Sequence, residues 1–214
     1  MGWFSKEKET TRSIEHPRSL QKGDMIQMLD SFSLPPELKG EALTVVAVNS
    51  YQYDDGDSYE LTLKGSMSDP VFLTVEEEDG TTWLNFSLKI QRSDVDKLFT
   101  LDQFAMIFDS DDLVTIERTG DIDGLERWVS TRYTQTEQPY VGYYYENQDF
   151  RGQKISRYDE DDNGEQFETL ALADPDEDYY INIEIWDGGE TDVSLTTCRP
   201  LSDITEMYPG KDDS

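Results

Sequence analysis

Alternation of apolar and polar residues is the strongest pattern in the chain, and it is clearest in residues 71–99, VFLTVEEEDGTTWLNFSLKIQRSDVDKLF. Two runs with a period of two residues, typical of half-buried strands, flank Asp79-Gly80. An Asp-Gly pair between such runs predicts a β-hairpin, because glycine adopts the positive φ that hairpin turns require. Ser93 then stands where it would cap a short helix with apolar residues at helical spacing. The segment predicts a hairpin followed by a short helix.

A second segment, residues 179–208 (YYINIEIWDGGETDVSLTTCRPLSDITEMY), repeats this plan. Its Asp-Gly pair at 187–188 lies 108 residues after the first, and Ser202 lies 109 residues after Ser93. These spacings are close to half of the 214-residue chain, which indicates duplication of one β-rich module. A hairpin followed by a capped helix can also recur by chance, so both origins stay open.

The rest of the chain continues as strand-like runs separated by Gly, Pro or acidic turns. Further strands are predicted over residues 25–29, 41–53, 59–63, 125–133, 140–145, 153–158 and 167–172. Residues 104–108 and 113–116 predict another hairpin, although the apolar spacing from Ser93 to Phe108 also fits a helix.

Strand after strand with short connections predicts a mainly β protein: two similar antiparallel β-barrel or β-sandwich modules, each ending in a short helix. The turn-rich stretch TGDIDG near the midpoint is the predicted boundary. The expected organisation is a flexible N-terminal tail (1–19), a first β module (20–118), a connector (119–124), a second β module (125–210) and a short tail (211–214).

The chain is strongly acidic, with a formal net charge of −29, yet 36% of its residues are hydrophobic and 12% aromatic. Because the aromatic residues lie inside alternating runs, we expect a folded protein. Residues 1–23 carry five basic and three acidic side chains, a net of +2, which leaves −31 for the rest. Such a body repels nucleic acid and anionic membranes. Its expected partners are cations or basic protein surfaces.

Cysteine and histidine are scarce, with Cys198 and His16 the single residue of each type. One cysteine cannot form an intrachain disulfide or a cysteine-rich zinc site, and it fits a reducing compartment. The sequence has no apolar run of membrane-spanning length and no signal peptide, so we expect a cytoplasmic protein without direct membrane insertion. No catalytic constellation emerges, so a non-enzymatic role is expected.

The best local motif for a metal site lies at Asp159, Asp161 and Asn163, which match the opening of an EF-hand calcium loop. The twelfth position of such a loop, normally a bidentate Glu, is Leu170, while Glu168 lies two places earlier. Calcium is therefore a candidate cofactor, bound by Asp159, Asp161, Asn163 and Glu168. The alternative is a solvated hairpin turn.

An aromatic platform for a partner is the second candidate site. Three tyrosines of one predicted strand, Tyr140, Tyr143 and Tyr145, together with Trp128, could present aromatic faces on one surface. Tyrosines on strands also commonly cover the edge of a core, and that alternative stays open.

Three segments carry a resemblance to a known family: KGD at residues 22–24, GEALTVVAV at 40–48 and FLTVEEEDG at 72–80. Their order resembles that of the YjfK-type bacterial proteins of unknown function, often encoded beside PspA-like membrane-stress proteins. The resemblance implies a cytoplasmic, non-enzymatic accessory role near a PspA-like partner, and it transfers no catalytic residue. We therefore predict an acidic interaction protein that binds a basic partner surface; the alternative is a calcium- or polyamine-binding module.

Overall fold

A computed structural model of the chain describes residues 12–153 and 164–210, in which twelve strands form one antiparallel sheet and two α-helices follow the fifth strand. The strands are β1 (Met25–Met28), β2 (Ala42–Gln52), β3 (Asp57–Lys64), β4 (Val71–Glu78), β5 (Thr81–Ile90), β6 (Thr115–Glu117), β7 (Arg132–Gln135), β8 (Tyr140–Tyr145), β9 (Glu165–Ala173), β10 (Tyr179–Trp186), β11 (Thr191–Pro200) and β12 (Ile204–Tyr208). The helices are α1 (Arg92–Leu98) and α2 (Leu101–Asp109).

Eight of the strands close an antiparallel barrel in the order β2-β3-β4-β5-β11-β10-β9-β8. Strand β8 completes the ring, because it pairs with β9 on one side and with the end of β2 on the other. Beyond the ring, β1 and β12 extend the sheet from β2, and β7 and β6 extend it from β9. The predicted mainly β class is confirmed.

The two predicted hairpins are present as β4–β5 and β10–β11, and pairing of β5 with β11 places them side by side. Asp79 and Gly80 form the first turn with φ of 49° and 77°, the left-handed conformation that favours glycine. Strands from before and after the connector at 119–124 belong to the same barrel. The described residues thus form one barrel and do not show two modules.

The predicted hairpin over residues 104–116 is wrong, because its first arm, residues 104–108, is helical. Residues 101–109 form α2, whose N-terminus is capped by Thr100, the side chain of which accepts a hydrogen bond from the Gln103 backbone N–H at 3.3 Å. Helix α1 begins one residue before Ser93, so Ser93 is not its cap. The predicted strand at 125–133 is mostly irregular, with a turn at residues 126–128, and β7 begins only at Arg132. Within the described ranges, neither helix has the length and apolar character needed to cross a membrane.

Contacts across the ring show which side chains point into the barrel. Glu60 on β3 and Glu184 on β10 lie on opposite sides of the ring, yet both have a carboxyl oxygen within 3.5 Å of the Tyr51 hydroxyl. Side chains from opposite walls can meet only in the lumen. Because successive residues of a strand point to opposite faces, the apolar residues Leu61 and Ile183 point outwards. The barrel therefore has a polar and aromatic lumen and an apolar outer face.

The hydrophobic core lies outside the barrel, between its outer face and the segments wrapped around it. Outer-face residues of six strands are buried, among them Leu61, Leu73, Phe86, Leu172, Ile183 and Leu195. They join one cluster with buried residues of the covering segments, among them Leu20, Leu38, Leu98, Ile107 and Trp128. The outer face of the barrel and the covering segments bury their apolar area against each other, and this burial is the main stabilising contribution to the fold.

Part of the predicted flexible N-terminal tail belongs to this cover. His16 Nε2 lies 3.0 Å from Glu77 Oε1, and Arg18 Nε donates to the Val75 carbonyl oxygen at 3.3 Å. Arg12 pairs with the buried carboxylate of Asp24. Residues 12–19 therefore lie against the barrel wall.

Because β8 closes the barrel, a larger side chain at Gly142 should destabilise the fold. A Cβ atom there would lie 2.6 Å from ring atoms of both Phe167 and Tyr53 inside the lumen. We expect Gly142→Ala to lower the free energy of unfolding by about 1–3 kcal/mol, because Phe167 is buried and has little room to move. Gly56→Ala is the matched control, since nothing lies within 4 Å of its Cβ position. Urea unfolding measures both, and equal stability of the two variants would contradict the described closure.

Candidate functional site

The lumen of the barrel contains polar side chains from most of its strands, whereas the buried part of the outer face is apolar. It contains two regions: a carboxylate cluster made of Tyr51, Glu60, Lys89, Glu184 and Asp192, and a lumen cavity beside it. The residues come from strands on all sides of the ring, so the fold and not the local sequence brings them together.

Tyr51 is the centre of the carboxylate cluster. Its hydroxyl lies 3.5 Å from Glu60 Oε2 and 3.3 Å from Glu184 Oε1. Asn49 Nδ2 donates to the other oxygen of Glu60 at 3.0 Å, and to Thr62 Oγ1 at 3.2 Å. A phenol hydrogen can be donated to only one acceptor at a time. The chain of hydrogen bonds is therefore complete when one of the two carboxyls is protonated and donates to the Tyr51 oxygen.

Protonation of Glu60 fits its surroundings. Burial raises the pKa of Glu60 to about 7, with a further increase from the nearby charge of Glu184, and this outweighs the lowering by the hydrogen bond from Asn49. Burial also raises the pKa of Glu184, against the opposing effect of Lys89. Two carboxyls near one hydroxyl avoid simultaneous ionisation at neutral pH.

Lys89 supplies the cation of the cluster. Its Nζ donates to Asp192 Oδ2 at 2.8 Å, and the Trp186 indole N–H donates to the same oxygen at 3.1 Å. Partial burial lowers the pKa of Lys89, but the hydrogen bond to Asp192 and the charges of Glu184 and Asp192 raise it further, so the net direction is upward. The lumen thus holds a protonated ammonium group against carboxylates.

Aromatic rings fill the lumen beside the cluster. The Tyr51 ring lies 4.9 Å from that of Tyr144 and 5.7 Å from that of Phe167, and Phe167 lies 5.1 Å from Trp186. Burial raises the pKa of the Tyr51 hydroxyl well above its ordinary value, as it does for Tyr144. These tyrosines remain neutral hydrogen-bonding groups with an electron-rich face, which favours cations.

The lumen cavity has a volume of about 370 Å³. Its lining combines hydroxyl and amide side chains, carboxylates and small residues from opposite walls: Thr74, Glu76, Asn85, Ser87, Thr136, Glu137, Ala171, Ala173, Glu177, Tyr180, Asn182 and Thr196. The volume falls within the range of small-molecule binding sites.

Hydrogen bonds inside the lining leave acceptors available. Asn182 Nδ2 donates to Thr196 Oγ1 at 2.8 Å, and Thr196 Oγ1 lies 2.7 Å from Ser87 Oγ. Asn85 Oδ1 is buried and has no hydrogen-bond partner among the described residues. A buried acceptor without a partner costs about 1–3 kcal/mol, so a donor group of a ligand would be stabilised there.

The charge of the lining has one sign. Glu76, Glu137 and Glu177 contribute carboxylates, and no Lys or Arg occurs among the described lining residues. The cavity therefore favours a ligand that donates hydrogen bonds and carries positive charge, and it disfavours anions.

The residues predicted as an aromatic platform do not share one surface. Trp128 is fully buried in the outer layer, where its Nε1 donates to Glu37 Oε2 at 2.8 Å. Tyr145 is also fully buried, and its hydroxyl donates to Gln52 Oε1 at 3.3 Å. Tyr143 shares this outer face of β8, whereas Tyr140 points to the lumen side, 5.5 Å from the Tyr53 ring.

Three of the predicted calcium ligands, Asp159, Asp161 and Asn163, lie outside the described residues. The fourth, Glu168, is exposed on the outer face of β9, away from the lumen. Nowhere in residues 12–153 and 164–210 do three His, Cys, Asp or Glu side chains group closely enough to hold a metal ion. Calcium binding by these residues stays a prediction.

Cys198 and His16 lie on opposite faces of the barrel wall. Cys198 pairs with Asn85 on the lumen face, where burial raises the pKa of its thiol to about 11. His16 contacts Thr82 and Glu77 on the outer face. The wall separates the thiol from the imidazole.

Sequence reasoning missed the lumen residues, although a signal for them exists. Glu60 and Glu184 are charged residues inside strand runs, in YELTL and INIEIW, where exposed turns would be the expected place for acidic side chains. Asn85 and Asn182 likewise interrupt β-branched and aromatic runs. Polar residues at alternate strand positions indicate a polar face, but not that this face is enclosed.

Comparisons with known proteins found no match: no family model, no curated protein and no solved structure is significantly similar to the chain. The resemblance to YjfK-type proteins stays a prediction.

The carboxylate cluster predicts a specific pH dependence of stability. The folded-state pKa of Glu60, about 7, lies above its ordinary value of 4.5. The folded state therefore binds this proton more tightly, and its contribution to stability is present below pH 4.5 and is lost as the pH rises through 7. We expect Glu60→Gln to be about 2 kcal/mol more stable than the wild type at high pH, and to lose less stability on going from about pH 5 to pH 8.

Urea unfolding at several pH values measures this effect. Lowering the pH also relieves the general repulsion in a protein with a net charge of −29. Glu168→Gln removes one exposed carboxylate and is the matched control for that contribution. If the two variants showed the same pH profile, Glu60 would not be the responsible group.

Proposed function

We propose that the protein is a binding protein for a linear polyamine, held in the lumen cavity. The observation that carries the proposal is a partly open cavity of about 370 Å³, lined by three solvent-exposed carboxylates and several hydroxyl and amide groups, without a basic side chain among the described lining residues. Spermidine is the representative ligand for this chemistry.

The chemistry of the lining supports a polyammonium ligand over other small molecules. Each ammonium group donates up to three hydrogen bonds and needs acceptors to replace its hydration. Carboxylates of Glu76, Glu137 and Glu177 supply charge, and Asn85 Oδ1 supplies an acceptor that has no partner among the described residues. Lys89, held by Asp192 beside the cavity, is an internal example of the same interaction.

Net charge supports the proposal through the concentration of cations near the protein. A formal charge of −29 attracts polyamines from solution before any specific contact forms. This non-specific attraction is also the main competing explanation for any binding, and the experiment has to separate the two.

Calorimetric titration of spermidine tests the proposal. We expect Glu137→Gln and Glu76→Gln each to weaken binding about tenfold, because each removes a charge-assisted hydrogen bond. We expect Ala171→Leu to weaken it at least as much, because the added side chain would occupy the lumen cavity while leaving every carboxylate in place.

Glu168→Gln is the control, since it removes the same charge from the exposed outer face of β9. The titrations are performed at about 150 mM salt, which screens surface attraction. A Kd that does not change in Ala171→Leu, or that changes equally in Glu168→Gln, would show that spermidine binds only to the acidic surface.

A second candidate function is binding of a basic partner protein, for which the resemblance to YjfK-type proteins would imply a PspA-like partner. The net charge of −31 outside residues 1–23 supports it, because such a surface attracts basic proteins and speeds their association. An internal duplication also remains a proposal, supported by the adjacent positions of the hairpins β4–β5 and β10–β11.

A further inference from the structure

Helix α2 exposes an apolar face that the hydrophobic core does not cover. Of its apolar residues only Ile107 is buried, while Leu101 is 59% exposed, Met106 51% and Phe108 44%. A short surface helix of a folded protein normally turns its apolar stripe to the core and its polar side to water. Leu101 and Phe108 lie on one side of the helix, and exposed apolar groups that cluster in this way mark interaction sites.

Part of this face forms one wall of a groove of about 470 Å³. Leu101, Phe104 and Phe108 follow one another at helical spacing along this wall. Its lining also includes the buried residues Val95 and Val193, and Gly189 and Glu190 of the β10–β11 turn. Met106 is not part of the lining, so the helix presents two separate exposed surfaces.

Acidic residues outnumber basic ones at the groove. Asp96 and Glu190 line it, while Arg92 is the single basic residue among the lining positions described; Asp102 and Asp109 lie elsewhere on α2. Lys97 is already paired with Asp94 at 3.0 Å. An apolar stripe with an acidic border is complementary to an apolar ridge flanked by Lys or Arg.

We propose that this groove binds an amphipathic helix of a partner protein, with an apolar stripe in the groove and basic residues against its acidic border. A second copy of the chain is a poor occupant, because it would bring another body with a net charge of −29 against the same acidic border. The site lies on the outer face beside α1 and α2, so it is independent of the lumen cavity. It gives the proposed binding of a basic partner a defined location.

A labelled synthetic peptide of about 18 residues, composed of Leu and Lys and designed as an amphipathic helix, probes the groove in the full chain. Fluorescence anisotropy gives its Kd. We expect Leu101→Ser and Phe108→Ser each to weaken binding about tenfold, because they remove anchoring contacts. Glu190→Lys should also weaken it, without removing an apolar contact.

Met106→Ser is the matched control, because it also replaces an apolar side chain by Ser, at a similarly exposed position of α2 outside the groove. We expect it to leave the Kd of the peptide unchanged. Equal weakening by Met106→Ser would overturn the proposal. Binding of a scrambled peptide of identical composition with the same Kd would also overturn it, since only net charge would then be recognised.

Two measurements exclude other occupants. Sedimentation should show no concentration-dependent dimer that Phe108→Ser abolishes, because such a dimer would make a second copy the occupant. Deletion of residues 1–11, which contain Trp3 and Phe4, should leave the peptide Kd within about threefold. A gain in peptide affinity of about tenfold or more on deletion would make the chain's own N-terminus the occupant and would overturn the proposal.

Spermidine binding by Phe108→Ser is expected to match the wild type, so failure of this proposal is distinguishable from failure of the lumen proposal.

Discussion

The need to cover an apolar outer wall governs the arrangement of this protein. In the barrel described here, leucine, isoleucine and phenylalanine side chains of six strands point away from the lumen. Left in water, this surface would forfeit most of the hydrophobic stabilisation of the fold. The N-terminal segment, both helices and the turns around Trp128 are placed over it and form one buried cluster with it.

Moving the hydrophobic core outside the barrel leaves the lumen free for polar chemistry. Polar groups in the lumen then need hydrogen-bond partners within the protein, and the hydrogen bonds around Tyr51, Asn49 and Thr196 provide them. The same enclosure raises the pKa of Glu60 and Glu184, because burial penalises the carboxylate form. Aromatic rings and carboxylates, which outnumber the one lysine, give the lumen a preference for cations, in keeping with the sign of the whole protein's charge.

The two proposed binding sites, the lumen cavity and the groove along α2, differ in physical character. The lumen cavity is partly open to solvent, acceptor-rich and acidic, which suits a small cation. The groove along α2 is open and apolar with an acidic border, which suits a larger amphipathic partner. Both depend on the acidic character of the chain, which has 47 Asp and Glu residues against 18 Lys and Arg.

Local sequence determined most of the strands: the alternating runs, the Asp-Gly turn at Asp79 and Gly80 and the hairpins β4–β5 and β10–β11 follow from side-chain periodicity and the φ that glycine permits. The sequence of helix α2 was ambiguous, because its apolar spacing suits either a strand or a helix. In the structure it forms a helix that is capped by Thr100. Only the tertiary structure decided which face of the strands is enclosed. A period of two places Glu60 and Leu61 on opposite faces, but it does not say which face is inside. That choice rests on closure by β8 and on contacts such as that of Tyr51 with Glu184, 133 residues apart in the chain, which no local pattern encodes.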